Sequence, residues 1–118
     1  QMISIPEYRI AHIGINTVNN KDAETLIELL CKLFCQDIKR RTDNNVFVGD
    51  IFEVVKHPQR GLCGHIALQT NDIELAVADL ESKGITFRKE TIRRDKSGKI
   101  CFIYLEQEFG GFAFHLTK

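Results

Sequence analysis

The chain carries one strand-like phrase twice, His12-Ile-Gly-Ile-Asn-Thr17 and His65-Ile-Ala-Leu-Gln-Thr70, 53 residues apart. Three of the six positions are identical and the other three conservative, the mark of a duplicated structural unit. The echo returns further along each half. Gly49-Asp-Ile-Phe-Glu53-Val-Val-Lys56 read beside Gly111-Phe-Ala-Phe-His115-Leu-Thr-Lys118 sets Phe52 against Phe114, Val54 against Leu116 and Glu53 against His115. Four polar, metal-competent side chains therefore hold corresponding places in two modules: His12 and Glu53, then His65 and His115.

Period and punctuation give each module the same order of elements. From Tyr8 to Val18 the pattern alternates, with Ala11, Ile13 and Ile15 on one face and His12, Gly14 and Asn16 on the other, as in a half-buried strand. Asn19 and Asn20 can cap a helix to about Cys35, whose stripe is Ala23, Leu26, Ile27, Leu30, Leu33 and Phe34. Short strands are expected around 38–41, 46–48 and 51–56, separated by turn-prone Thr42-Asp-Asn-Asn45 and Gly49-Asp50. After a loop over 57–64 the second module repeats the plan: a strand at 65–70, then a helix opened by Asn71-Asp-Ile-Glu74 and closed at Gly84. Strands around 85–89, 100–106 and 112–118 complete it, with a charged hairpin at 93–99 between the first two. The fold class is α+β, two tandem βαβββ modules at about 8–56 and 63–118 within a single domain over 2–118. Gln1 ahead of Met2 reads as a remnant of expression or of a longer chain.

At 118 residues such a domain can bury roughly two thirds of the surface its unfolded chain exposes. Lys plus Arg equal Asp plus Glu at 16 each, so no net field recommends nucleic acid or an anionic membrane as partner. No apolar run approaches about 18 residues and no basic segment leads into one at the start. The expected setting is cytoplasmic. The four cysteines, none in a Cys-x-x-Cys spacing, read as free thiols acting as small apolar residues.

A lone histidine in a half-buried strand serves structure more often than ligation. Here three of four histidines and one glutamate fall at duplicated positions with matching parity. Residues two apart in a strand share a face. His12, Gly14 and Asn16 thus face as His65, Ala67 and Gln69 do, and Ala113, His115 and Thr117 are left on the polar side once Phe112, Phe114 and Leu116 pack. If the modules join about a pseudo-twofold axis, the four positions can meet. Imidazole plus carboxylate suits one divalent transition metal: zinc, nickel, manganese, cobalt or ferrous iron. Asn16 and Gln69 are candidate substrate contacts. So is Arg88, which with Arg93 and Arg94 could clamp a carboxylate or phosphate, although solvated hairpin charge is the plainer reading. His57, beside Pro58, reads as a surface residue.

These residues resemble the vicinal oxygen chelate superfamily, the fold of glyoxalase I, bleomycin-resistance proteins and extradiol dioxygenases, over roughly Tyr8 to Lys118. The most recognisable piece is Gly64-His-Ile-Ala-Leu-Gln-Thr-Asn-Asp-Ile-Glu-Leu-Ala-Val-Ala-Asp-Leu-Glu-Ser-Lys-Gly84. The resemblance implies a curled mixed sheet around one metal cleft, with the ligands carried over to His12, Glu53, His65 and His115. It also implies a homodimer with sites shared across the interface. His115 departs from the pattern, because glyoxalase I and extradiol dioxygenases usually place a glutamate there. Ordinary glyoxalase I activity is therefore not expected. The segments 10–16, 64–67 and 110–116 look like the domain fused behind some bacterial 2-keto-3-deoxy-6-phosphogluconate and 4-hydroxy-2-oxoglutarate aldolases.

The chemistry implied is that of a divalent-metal-dependent lyase or isomerase acting on a small 2-oxo or 2-hydroxy acid through two neighbouring oxygens, with Glu53 as base. The alternative is a non-catalytic small-molecule binding or regulatory module linked to keto-acid aldolase metabolism.

Overall fold

The computed structural model describes residues 5–58 and 60–118; the expected domain start at Met2 lies outside the described residues. The first module runs β1 (Tyr8–Asn16), α1 (Asn20–Phe34), β2 (Ile38–Arg41), β3 (Asn45–Val48) and β4 (Phe52–Val55). The second runs β5 (Gly64–Thr70), α2 (Ile73–Ser82), β6 (Phe87–Arg94), β7 (Ile100–Leu105) and β8 (Phe112–Thr117). The order of elements is the one the repeat predicts. The strand expected at 85–89 starts later and runs on to Arg94, which draws Arg93 and Arg94 out of the hairpin and into the sheet.

Both helices begin and end on chemistry visible in the sequence. Asn19 Oδ1 accepts from Asp22 N–H and Asp72 Oδ1 from Leu75 N–H, each satisfying a donor the helix start leaves orphaned. At the end of α2, Gly84 takes φ +89°, with Gly84 N–H on the Glu81 carbonyl and Ile85 N–H on that of Leu80. That paired arrangement is the Schellman stop, which glycine adopts without steric cost. Cys35 ends α1 in the left-handed region at φ 51°, with its own N–H and that of Gln36 both on the Cys31 carbonyl, a conformation disfavoured for a side chain-bearing residue.

All eight strands form one mixed sheet in the order β2-β3-β4-β1-β5-β8-β7-β6. Within each module the first strand pairs parallel with the last, and the modules join through an antiparallel β1–β5 ladder. The curled sheet implied by the resemblance is not what forms. The sheet is open, with β2 and β6 as unpaired edges at opposite ends among the described residues, seven strand spacings or about 34 Å apart. The molecule extends 52 × 28 × 25 Å with a radius of gyration of 15.7 Å, against about 13.5 Å for a compact domain of this length.

Packing explains the openness. Each helix packs chiefly on the strands of its own module, giving two separate clusters of buried apolar residues among the described residues. Ala23, Ile27 and Leu30 of α1 pack with Val46, Val48 and Val54. Ile73, Ala76 and Val77 of α2 pack with Phe87, Ile103 and Leu116. Among the described residues no cluster of buried apolar residues joins both helices, and the opposite face of the sheet holds the histidines and Glu53 together with the rings of Phe47, Phe102 and Tyr104. A bulge between Ile10 and His12 resets the side-chain parity of β1. Tyr8 thereby packs on the α2 side, its hydroxyl donating to Asp79 Oδ2 at 2.8 Å, while His12 points to the other face.

Candidate metal centre

Directly opposed residues in a sheet project to the same side, and the registers build two rows across the open face. The first runs Arg40, Phe47, Glu53, Gly14, His65, Ala113. The second runs Arg88, Tyr104, His115, Ala67, His12. They are copies related by the duplication: Glu53 answers His115, His65 answers His12, Phe47 answers Tyr104, Arg40 answers Arg88. Between each module's own ligand and the histidine from the other module lies a small residue, Gly14 or Ala67. Smallness at position 14 is a requirement, because a Cβ there would fall 2.1 Å from His65 Cε1.

The rows bring four predicted residues together. His12 Nε2 lies 3.1 Å from His65 Nε2, and Glu53 Oε1 lies 3.0 Å from His65 Nε2 and 3.3 Å from His12 Nε2. His12, His65 and His115 offer ligand atoms all within 4.8 Å of one another. Two donors bound about 2.1 Å from one ion at tetrahedral or octahedral angles stand about 3.0–3.4 Å apart, the spacing of the His12, His65 and Glu53 atoms. His115 is only 4% exposed, and its Nδ1 is the one buried side-chain polar atom without a hydrogen-bond partner among the described residues. A buried imidazole nitrogen left unpaired costs stability that a bound cation would return. The compact His12/His65/His115 cluster is positioned to chelate a single divalent metal ion.

Electrostatics agree with that use, since ligation needs neutral imidazole and ionised carboxylate. Burial pushes the His115 pKa down to about 4, helped by the neighbouring His65 and His12. Burial also lowers His12, against the opposing pull of Glu53. For Glu53 burial acts upward, but hydrogen bonds from His65 and Asn45 outweigh it and hold the carboxyl below its ordinary value. Asn45 Nδ2 donates to Glu53 Oε2 at 2.8 Å, so both carboxylate oxygens are engaged.

The remaining predicted residues scatter. Asn16 lines a cleft of about 220 Å³ beside Glu53 and His65, but its Nδ2 is committed to the Gly61 carbonyl at 2.8 Å, tying down the loop between the modules. Gln69 sits at the far end of β5, its Oε1 accepting from Arg9 Nε at 2.9 Å. Arg88 is half-buried on the same face, opposite Tyr104. His57 is exposed, on the rim of the cleft. Both halves of the cluster come from one chain through the β1–β5 ladder.

Several neighbours escaped the sequence reading. Phe102 stacks on His115 with centroids 4.4 Å apart, and Tyr104 meets it edge-on at 5.1 Å. The alternation of Phe102 and Tyr104 with buried Ile103 carried that signal. Asn45 and Arg60 gave none, because only the folded register brings them to the site.

No protein-family profile matches the sequence, and no curated protein does. Solved structures do. A hypothetical protein of Bacillus halodurans C-125 superposes with TM-score 0.63 at 16% identity, covering 93% of each chain. Streptomyces coelicolor methylmalonyl-CoA epimerase, complexed with 2-nitronate-propionyl-CoA, gives 0.59 at 20%, covering 92% of each. Homoprotocatechuate 2,3-dioxygenase of Arthrobacter globiformis gives 0.58 at 12%, over 92% of this chain and 35% of that one. The protein therefore shares the fold of these structures, laid out as an open sheet with a three-histidine cluster on one face.

Proposed function

We propose that the protein is a divalent-metal-dependent lyase or isomerase acting on a small 2-oxo or 2-hydroxy acid. The observation that carries this reading is the convergence of His12, His65 and His115 within 4.8 Å. Those three and Glu53 would hold the metal, which when bound supplies Lewis acidity to two neighbouring substrate oxygens. His12 and His115 present lone pairs because burial keeps them unprotonated, and Glu53 brings the one negative charge. Phe102 and Tyr104 shield the His115 side from water. Glu53 would move the substrate proton; its Oε1 lies 3.0 Å from His65 Nε2 and its Oε2 accepts from Asn45. An isomerase role is in keeping with the shared fold of methylmalonyl-CoA epimerase. Homodimer formation, a cytoplasmic setting and kinship with aldolase-fused domains belong to the same reading; the last rests on the segments 10–16, 64–67 and 110–116 alone.

One observation favours the second reading, a non-catalytic binding or regulatory module. Glu53 accepts hydrogen bonds on both oxygens and is held below the ordinary carboxylate range, which makes it a good ligand and a weak base.

Two measurements test the pair. Elemental analysis of purified protein should find one transition metal per chain, lost in His65→Ala. Metal-loaded protein should then exchange the hydrogens next to the carbonyl of a 2-oxo acid with deuterated water, and Glu53→Gln should not. Metal without exchange selects the binding module. A metal-free protein whose stability ignores His65→Ala would overturn the enzyme reading.

A further inference from the structure

The chain has as many cationic as anionic side chains, yet its arginines are not evenly satisfied. Arg41 pairs with Glu24, Arg9 donates to Gln69 and Arg94 to the Gly98 carbonyl. The other four, Arg40, Arg60, Arg88 and Arg93, make no ion pair and no side-chain hydrogen bond among the described residues. All four fringe the imidazole face. Arg40 lies over Phe47 and Arg93 over Phe102, each with Cζ 4.6 Å from the ring centroid, and Arg60 lies over Tyr104 at 4.9 Å.

Arg60 differs from the rest in its surroundings. It is half-buried and lines the same cleft as Glu53, His65 and Asn16. The loop just after it is fastened: Asn16 donates to the Gly61 carbonyl, Gly61 N–H donates to Glu108 Oε2 at 3.2 Å, and Cys63 N–H donates to the Gly111 carbonyl. A guanidinium held over a ring face makes no hydrogen bond to it and keeps its N–H donors for a planar acceptor. Partial burial makes leaving those donors empty costly. Arg93 adds a second cation nearby, since the Phe102 and Tyr104 rings it and Arg60 cover are 5.2 Å apart.

We propose that Arg60 is a specificity-determining residue that takes the distal carboxylate of a small dicarboxylic 2-oxo or 2-hydroxy acid whose other end lies at the histidine cluster. This rests on the chelation reading above and names its substrate class. The cleft, about 220 Å³, is smaller than the roughly 300–1,000 Å³ of drug-sized ligand sites, which suits an acid of a few carbons. Its lining includes no helix N-terminus, the usual cradle for phosphate, and the planar fork of Arg60 matches a carboxylate.

The test is calorimetric binding of 2-oxopentanedioate and 2-oxopentanoate, equal in chain length, to zinc-loaded protein. Wild type should favour the dicarboxylate by at least about tenfold, the scale of one charge-assisted hydrogen-bonded pair. Arg60→Gln should abolish the preference while leaving 2-oxopentanoate affinity and zinc content unchanged; Arg60→Lys should keep part of it. Equal affinities in wild type, or a preference surviving Arg60→Gln, would overturn the subsite and leave chelation standing. Inorganic phosphate competing as well as the dicarboxylate would overturn the carboxylate assignment. Failure of both acids to bind zinc-loaded protein would overturn the chelation reading along with it.

Discussion

Gly14→Ala adds one methyl group, and the structure says where its effect falls. The backbone tolerates it, because Gly14 lies in β1 and is not among the glycines with positive φ. The added Cβ would stand 2.1 Å from His65 Cε1, 2.4 Å from Nδ1 and 2.7 Å from Nε2. To reach ordinary contact near 3.4 Å the ring must retreat by about 1.3 Å, many times the ~0.2 Å latitude of a metal–ligand bond. His65 is then lost as a ligand. Disturbing a residue that merely orients a ligand costs about 10–100-fold in metal affinity, so losing the ligand should cost at least about 100-fold, or ~3 kcal/mol. Zinc titration against a competing chelator measures this, with His65→Ala as the reference for a missing imidazole and Ala67→Gly as a control that removes a methyl from the matching position. Gly14→Ala should fall with His65→Ala, and Ala67→Gly should stay near wild type. A Gly14→Ala protein that binds zinc as tightly as wild type would refute the assignment of His65 to the centre.

Other consequences concern stability. His115 is buried with its folded pKa near 4 against 6.5, so between those values the unfolded chain binds a proton the folded one does not. Stability of the metal-free protein should therefore be full above pH 6.5 and fall as the pH drops toward 4. Between pH 7.5 and 5 the His115 share is roughly 2 kcal/mol; urea titrations of wild type and His115→Phe at both pH values isolate it, and an unchanged difference between the two proteins would contradict the burial argument. Asn45→Ala removes one of the two hydrogen bonds holding Glu53 below the ordinary carboxylate range; the Glu53 pKa should rise, visible by carbon NMR of the carboxyl. Asn19→Ala removes the cap of α1 and should cost about 1 kcal/mol in denaturant unfolding.

Much of the fold was legible because duplication doubles every signal. Strand period, helix stripe and caps fell in the same order twice, and side-chain parity alone assigned His12, His65 and His115 to one face. Where the reading failed, a long-range event decided. The bulge between Ile10 and His12 is silent in the sequence, because either parity of Tyr8 alternates equally well. The open sheet is likewise silent, since an edge strand and a paired one can share a composition. Gln69 has the parity of His65, yet sits two pairs further along β5 and is taken up by Arg9.

By itself the sequence determined which side chains could form a centre, since residue type and period are local properties. Tertiary structure decided that the β1–β5 ladder brings both pairs together in one chain, that Gly14 must lack a side chain to admit His65, and that Arg60 lines the cleft beside the cluster. Those outcomes depend on register between strands far apart in the chain. Each ladder fixes which residues share a row, and no local pattern states that alignment in advance.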